Sequence, residues 1–156
     1  QIALAENLAV FRGYAPGRFT GIAEVSDHAP VRADPDFARY PASVAKALQV
    51  LLEAGIGGPF ALVAGSDLYT GIIETPESGD LVLDHLRQIL GGPVVWVAGL
   101  EGGIVLSLRG GDYVMECGQD LSIGYRSHSA AAAQFYLEET FAFQVLEPQA
   151  AVAIAS

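Results

Sequence analysis

One short unit occurs twice in this chain, and it limits the folds open to it. A helical segment with one apolar face is followed by two glycines, a proline and a continuous apolar run. The first copy carries Val44, Ala45, Leu48, Leu51 and Leu52, then Gly57, Gly58 and Pro59, then Phe60 to Ala64. The second carries Leu83, Leu86, Ile89 and Leu90, then Gly91, Gly92 and Pro93, then Val94 to Ala98. Apolar residues three and four apart line one side of a helix, whereas a short run apolar on both parities suits a strand buried on both faces. Glycine just past the periodic residues stops a helix, and proline cannot continue one. Repetition of the unit predicts an α/β layer between about Asp34 and Leu108. Within it, Pro41 suits a helix first turn and Gly55 a stop. Ser66 and Asp67 are expected to cap a short helix ending near Ile73, and Asp80 to cap the helix through Leu90.

The flanks read differently. Ile2, Leu4, Ala5, Leu8, Ala9 and Phe11 fall on one helical face, with Glu6 and Arg12 turned away and Gly13 as the stop. No capping residue precedes the run, so the pattern predicts the end of a longer helix and a chain that is a fragment, or a mature product, of a longer polypeptide. Tyr14 to Asp36 is rich in proline and glycine and is expected to hold a short strand while crossing between subdomains. Downstream, Ile104 to Leu108 and Tyr113 to Cys117 flank Arg109-Gly110-Gly111-Asp112, which reads as a hairpin turn. Leu121, Ile123 and Tyr125 alternate with Ser122 and Gly124 at strand period. From Ala130 to Phe143 the alanines and glutamates favour a helix, yet Phe135, Leu137, Phe141, Phe143 and Val145 share one parity and only Glu139 breaks it. Sustained period two outweighs propensity, so a long strand is expected. Pro148 turns the chain into a last strand, Ala151 to Ala155.

Composition narrows the function. Of 156 residues, 51% are hydrophobic and 17% charged, and the net charge is −10. Ordinary domains carry about 25% charged residues. Either apolar surface lies against other subunits, or the chain is an apolar-rich monomer. The acidic balance repels phosphate backbones and excludes nucleic acid as the main partner. No run approaches the ~18 apolar residues of a membrane span, and no signal peptide is recognisable. The single cysteine, Cys117, makes no internal disulfide and is expected to be a buried small hydrophobe.

Few residues carry chemistry. His28, His85 and His128 lack metal-ligand spacing, Asp34 and Asp36 lack the alternation of a calcium loop, and no phosphate-binding glycine loop occurs. Glu116, Glu138, Glu139 and Asp112 read as solvated acids on strands. Ser127-His128-Ser129 is the one place where serine and histidine crowd together, so a hydrolase centred there is the enzymatic alternative. Adjacent strand residues face opposite ways, however, and no nucleophile elbow is present. Leu121, Ile123 and Tyr125, with Val152 and Ile154, instead predict an apolar surface for an extended peptide or another subunit.

Those residues also carry a resemblance. Arg109-Gly110-Gly111-Asp112-Tyr113, then Gly118-Gln119-Asp120-Leu121-Ser122-Ile123-Gly124-Tyr125, then Phe135-Tyr136-Leu137-Glu138-Glu139-Thr140-Phe141-Ala142-Phe143 closely resemble the encapsulin shell proteins. Ala5-Glu6, Phe11-Arg12-Gly13, Gly58 to Leu62 and Leu68-Tyr69-Thr70 fit the same family. The resemblance implies an α+β chain with the tailed-phage major-capsid (Hong Kong 97-like) fold. It implies a non-enzymatic subunit that self-assembles into an icosahedral cytoplasmic compartment in bacteria or archaea, a role that needs no membrane. Its partners would be copies of itself and a cargo enzyme, ferritin-like or a dye-decolourising peroxidase, held by the cargo's C-terminal peptide. Such cargo points to iron storage or oxidative stress. Some members were first described as bacteriocins or proteases, and tailed-phage capsid proteins share the fold.

By the same resemblance, residues 1–14 are the end of a peripheral-domain spine helix and 15–33 a crossover. Residues 34–108 correspond to the axial domain and 109–156 to the returning peripheral strands. Leu121, Ile123, Tyr125, Val152 and Ile154 would line the cargo groove. Glu74, Thr75, Pro76, Glu77, Ser78, Gly79 and Asp80 would form the five-fold pore loop. The family's N-terminal helix, extended loop and most of its spine helix have no counterpart in these residues. The flavin site of some relatives lies in that region, so no cofactor is expected.

Overall fold

The structure, a computed structural model, describes residues 2–14, 16, 19–77, 80–129 and 131–155. Helix α1 (Ile2–Arg12) and a one-turn helix α2 (Ile22–Val25) lead to a short strand β1 (Val31–Arg32). Helix α3 (Tyr40–Glu53), strand β2 (Phe60–Ala64) and helix α4 (Ser66–Glu74) follow. Two short strands, β3 (Pro76–Glu77) and β4 (Asp80–Leu81), precede helix α5 (Val82–Leu90) and strand β5 (Val94–Trp96). The remaining strands are β6 (Gly103–Ser107), β7 (Tyr113–His128), β8 (Ala133–Val145) and β9 (Ala151–Ala155).

Five strands form the central sheet in the order β1-β9-β6-β2-β5. Every residue of β2 and β6 is buried, because both faces of the sheet are covered. On one face Phe60, Leu62 and Ala64 of β2 meet Val44, Leu48 and Leu51 of α3, Leu68 and Ile72 of α4, and Leu86 and Leu90 of α5. On the other, Ala61 and Val63 join Ile104 and Leu106 of β6 and Ile22 of α2, with Val10 and Phe11 of α1 packed against them. The apolar pentamers that lack alternation are therefore the strands with two dry sides. Burying one such leucine or valine contributes about 1.5–3 kcal/mol.

The repeated unit recurs, since β2 and β5 lie parallel with Leu62 paired to Val94, but only β2 is buried on both faces: β5 is the edge strand of the sheet, and Val95 and Trp96 are exposed. The second strand is shorter than its apolar run, ending at Trp96. The expected hairpin at Arg109–Asp112 is corrected. β6 pairs with β2 and β9, whereas β7 pairs with β8, so the glycine turn carries the chain from one sheet to another. Gly110 and Gly111 take φ of +88° and +84°, which an L side chain rarely adopts. The Arg109 guanidinium donates to both oxygens of the buried Asp112 carboxylate, at 2.7–3.1 Å. The Asp112 carbonyl accepts from the amides of Leu146 and Glu147, so the start of β7 is tied to the end of β8.

The last strand is a second correction. Expected beside the downstream strands, β9 instead runs antiparallel to β6, with Val105 paired to Val152, and parallel to β1. A boundary at residue 108 therefore does not separate the sheets, because β9 returns to the central one. Helix caps differ as well. Gly65, not Ser66 or Asp67, occupies the N-cap of α4, and Leu81, not Asp80, that of α5. In α1 the expected face packs only in part: among the described side chains Ala9 is buried and Phe11 half-buried against the second core, whereas Leu4 and Ala5 are exposed and Glu6, expected to turn away, is half-buried. A helix apolar on several sides leaves the choice to its neighbours.

Candidate functional site

β7 and β8 make a long two-stranded ribbon whose two halves have different surroundings. At its base Tyr113, Phe143 and Val145 pack against the sheet's second face, and the Phe141 ring lies 5.4 Å from that of Phe19. Its outer half has no such support. Ile123 pairs with Leu137 and Tyr125 with Phe135, which places these four side chains on one face. Exposures are 55% for Leu121, 72% for Ile123, 55% for Tyr125, 63% for Phe135 and 53% for Leu137. The rings of Tyr125 and Phe135 meet edge to face at 6.1 Å. Isolated soluble domains keep contiguous exposed apolar faces of this kind small.

The reverse face is polar and fitted. Gln119 donates to Ser122 Oγ and Glu138 Oε1 at 2.6 and 3.1 Å. Tyr136 lies across Gly124, where an added Cβ would fall 2.1 Å from the ring. The glycine of the Ile123-Gly124-Tyr125 segment thus provides space for an aromatic ring that shields the strand. Register shifts between Cys117 and Gln119, between Gln119 and Ser122, and between Tyr125 and Ser127 twist the ribbon away from a flat edge.

Three of the five expected groove residues, Leu121, Ile123 and Tyr125, lie together on this face. The other two do not join them. Val152 and Ile154 are 0% and 2% exposed, in the core beneath α3, because β9 is an interior strand of the central sheet. Phe135 and Leu137 take their place. Their parity was legible in sequence, but their alignment with Ile123 and Tyr125 depends on the register across the turn.

The expected pore segment is a small hairpin between α4 and α5. Glu74 ends α4 and is exposed, the Thr75 hydroxyl donates to the Gly71 carbonyl at 2.7 Å, and Pro76 and Glu77 pair with Leu81 and Asp80. Ser78 and Gly79 lie outside the described residues.

The hydrolase alternative finds no assembled pair among the described residues. Ser127 Oγ donates to Gln134 Oε1 at 3.0 Å, Ser129 Oγ to the Ala132 carbonyl, and His128 Nδ1 is joined to the Tyr125 hydroxyl. Cys117 is exposed on the ribbon, not buried as expected. Ionisation is perturbed elsewhere. Burial, then the charges of Glu139 and Asp120, push the Glu6 carboxyl up from its ordinary value. Burial likewise pushes the Tyr40 and Tyr113 phenols up, and neither hydroxyl has a hydrogen-bond partner. Among the described residues no helix is long and apolar enough to cross a membrane.

Comparison with known proteins places the chain in a family. Residues 1–142 match the Linocin_M18 family model, described as encapsulating protein for peroxidase. The type 1 encapsulin shell protein of Rhodospirillum rubrum is 42% identical over 152 residues, covering 97% of this chain and 54% of that protein. That of Rhodococcus erythropolis is 37% identical over 155 residues, covering 99% and 59%. The chain thus spans little more than half the length of these relatives. Among solved structures, a virus-like particle from Pyrococcus furiosus superposes with a TM-score of 0.63 at 18% identity, covering 80% of this chain and 56% of that one. A chain of Mycobacterium phage Che8 superposes at 0.58 with 14% identity, covering 81% and 54%. The fold is that of the Hong Kong 97-like capsid proteins.

Proposed function

The chain belongs to the Linocin_M18 family of encapsulating proteins, and on that premise we propose that it forms part of a structural, non-enzymatic shell subunit. Copies of the subunit that carries this chain would assemble into a closed icosahedral compartment in the cytoplasm. The observation that carries this reading is the uncovered face of Leu121, Ile123, Tyr125, Phe135 and Leu137 at the end of the ribbon. A face of alternating aliphatic and aromatic side chains accepts an extended apolar segment, and the cargo enzyme's C-terminal peptide is that segment on this reading. The cargo class would be ferritin-like or a dye-decolourising peroxidase. The role asks for no cofactor from these residues. In a ring of copies the segment around Glu74, Glu77 and Asp80 would favour cations, as rings of carboxylates do.

A phage capsid protein would share the fold, but the close sequence similarity runs to shell proteins, whereas the phage chain is 14% identical. Native mass spectrometry and electron microscopy of the subunit that carries this chain test the proposal. Closed particles are expected. Monomers or dimers alone at micromolar concentration would remove the assembly claim. In assembled particles, Ile123→Asp is expected to abolish co-purification of cargo while leaving the particles intact.

A further inference from the structure

The geometry points to a binding site for a small, neutral aromatic molecule bearing a carbonyl oxygen, in a cleft at the carboxyl edge of the central sheet. β1 runs parallel to β9 and β2 to β5, while β6 lies antiparallel to both β9 and β2. Four of the five strands therefore end on the same side. In open α/β sheets that edge is where ligands bind, in the crevice left as the chain departs from neighbouring strands to different elements. A cleft of about 1040 Å³ lies there, the size of a small-molecule site. Arg32 and Ala33, at the end of β1, bound it on one side. Residues 65–68, which follow β2, and the loop 99–102, which follows β5, bound it on the other.

Two sets of donors in this cleft lack acceptors. Tyr40, 2% exposed, lines it, and its hydroxyl has no hydrogen-bond partner among the described residues. A Cβ built on Gly103 would fall 3.2 Å from that hydroxyl and 2.8 Å from Leu68 Cδ2. The hydroxyl thus lies beside Leu68 and the paired residues Gly103 and Ile154, at the inner end of the cleft. Burial keeps the phenol protonated, so it is a donor. α4 supplies the second set. Its ladder begins with the Tyr69 amide donating to the Gly65 carbonyl at 2.8 Å, and Gly65 has no side chain to cap the turn. The amides of Ser66, Asp67 and Leu68 are left for an outside acceptor. Converging donors call for an acceptor oxygen. Its carrier is not an anion. Among the described residues Asp34 and Asp67 line the cleft, with a Glu101 already paired to Arg12, against a single cation, Arg32. Phe37, Leu68, Leu100 and Ile154 supply apolar walls that suit a ring. A neutral carbonyl on an aromatic body meets all three conditions.

Titrating the folded chain with benzamide, read by amide NMR, tests this. Saturable shifts are expected at Leu68, Leu100 and Gly102, with a dissociation constant on the order of 1 mM for so small a fragment. Benzoate, which carries the charge, and toluene, which lacks the acceptor, should each bind about fivefold more weakly or worse. Tyr40→Phe should weaken benzamide by about fivefold, leave toluene unchanged and preserve the rest of the spectrum, which separates a lost hydrogen bond from a disturbed fold. Absence of saturable shifts at those amides, shifts confined to the ribbon, benzoate binding as tightly as benzamide, or benzamide binding undiminished in Tyr40→Phe would overturn the proposal. So would the same shifts on raising protein concentration alone, since a second copy of the chain would then fill the cleft.

Discussion

The central sheet and the β7–β8 ribbon are both rich in apolar residues, yet they dispose of them in opposite ways. β2 and β6 bury every side chain under helices on one face and α1, α2 and the ribbon base on the other. The ribbon is much longer, and its outer half leaves Ile123 and Phe135 more than 60% exposed. A two-stranded ribbon is marginal in water by itself. The contrast separates the part of the chain that supplies its own partners from an apolar face that lies exposed.

Substitutions can break that contrast, and the largest effect belongs to the sheet. Leu62 is fully buried between α3, α5 and its neighbouring strands, so Leu62→Ala should destabilise the chain by about 2–5 kcal/mol in urea unfolding. Next come the two buried phenols. Their folded-state pKa values are raised, so the unfolded chain loses its phenolic protons first as pH climbs past the ordinary tyrosine value of about 10. Stability should therefore fall on the alkaline side. Tyr40→Phe and Tyr113→Phe should flatten that decline and, by removing an unpartnered hydroxyl, leave neutral stability unchanged or up to about 1 kcal/mol higher. Denaturation midpoints across that pH range give the answer.

On the ribbon the effects shrink. Gly124→Ala pushes the Tyr136 ring aside but relieves the flexibility of a mid-strand glycine, worth about 0.5–1 kcal/mol. The net change should stay below about 1 kcal/mol, while the near-ultraviolet circular dichroism of Tyr136 is lost. The smallest expected change is Leu137→Ala, within about 0.5 kcal/mol in the isolated chain because the side chain is already half in water. A loss near that of Leu62→Ala would show that the ribbon face is covered within the chain itself.

Local patterns carried much of this arrangement. The apolar pentamer Phe60–Ala64 and the period-two run from Phe135 to Val145 specify their elements by apolar pattern, and both form as expected. What the sequence conceals is pairing. Gly110 and Gly111 suit a hairpin turn equally well as a passage between sheets, and only the partners of β6 decide between them. Val152 and Ile154 looked like a docking face because a short apolar strand at a chain end does not announce that β6 and β1 enclose it. Leu121, Ile123 and Tyr125 were found because alternation fixes a face, whereas Phe135 and Leu137 needed the register.

Hydrogen–deuterium exchange on the chain free in solution and within the proposed shell measures the central contrast directly. Amides of β2, β6 and β9 should exchange slowly in both states. Those from Leu121 to Leu137 should exchange rapidly in the isolated chain and become protected in the assembly. Equal, rapid exchange of that segment in the assembly would contradict the assignment of the ribbon face as a contact surface.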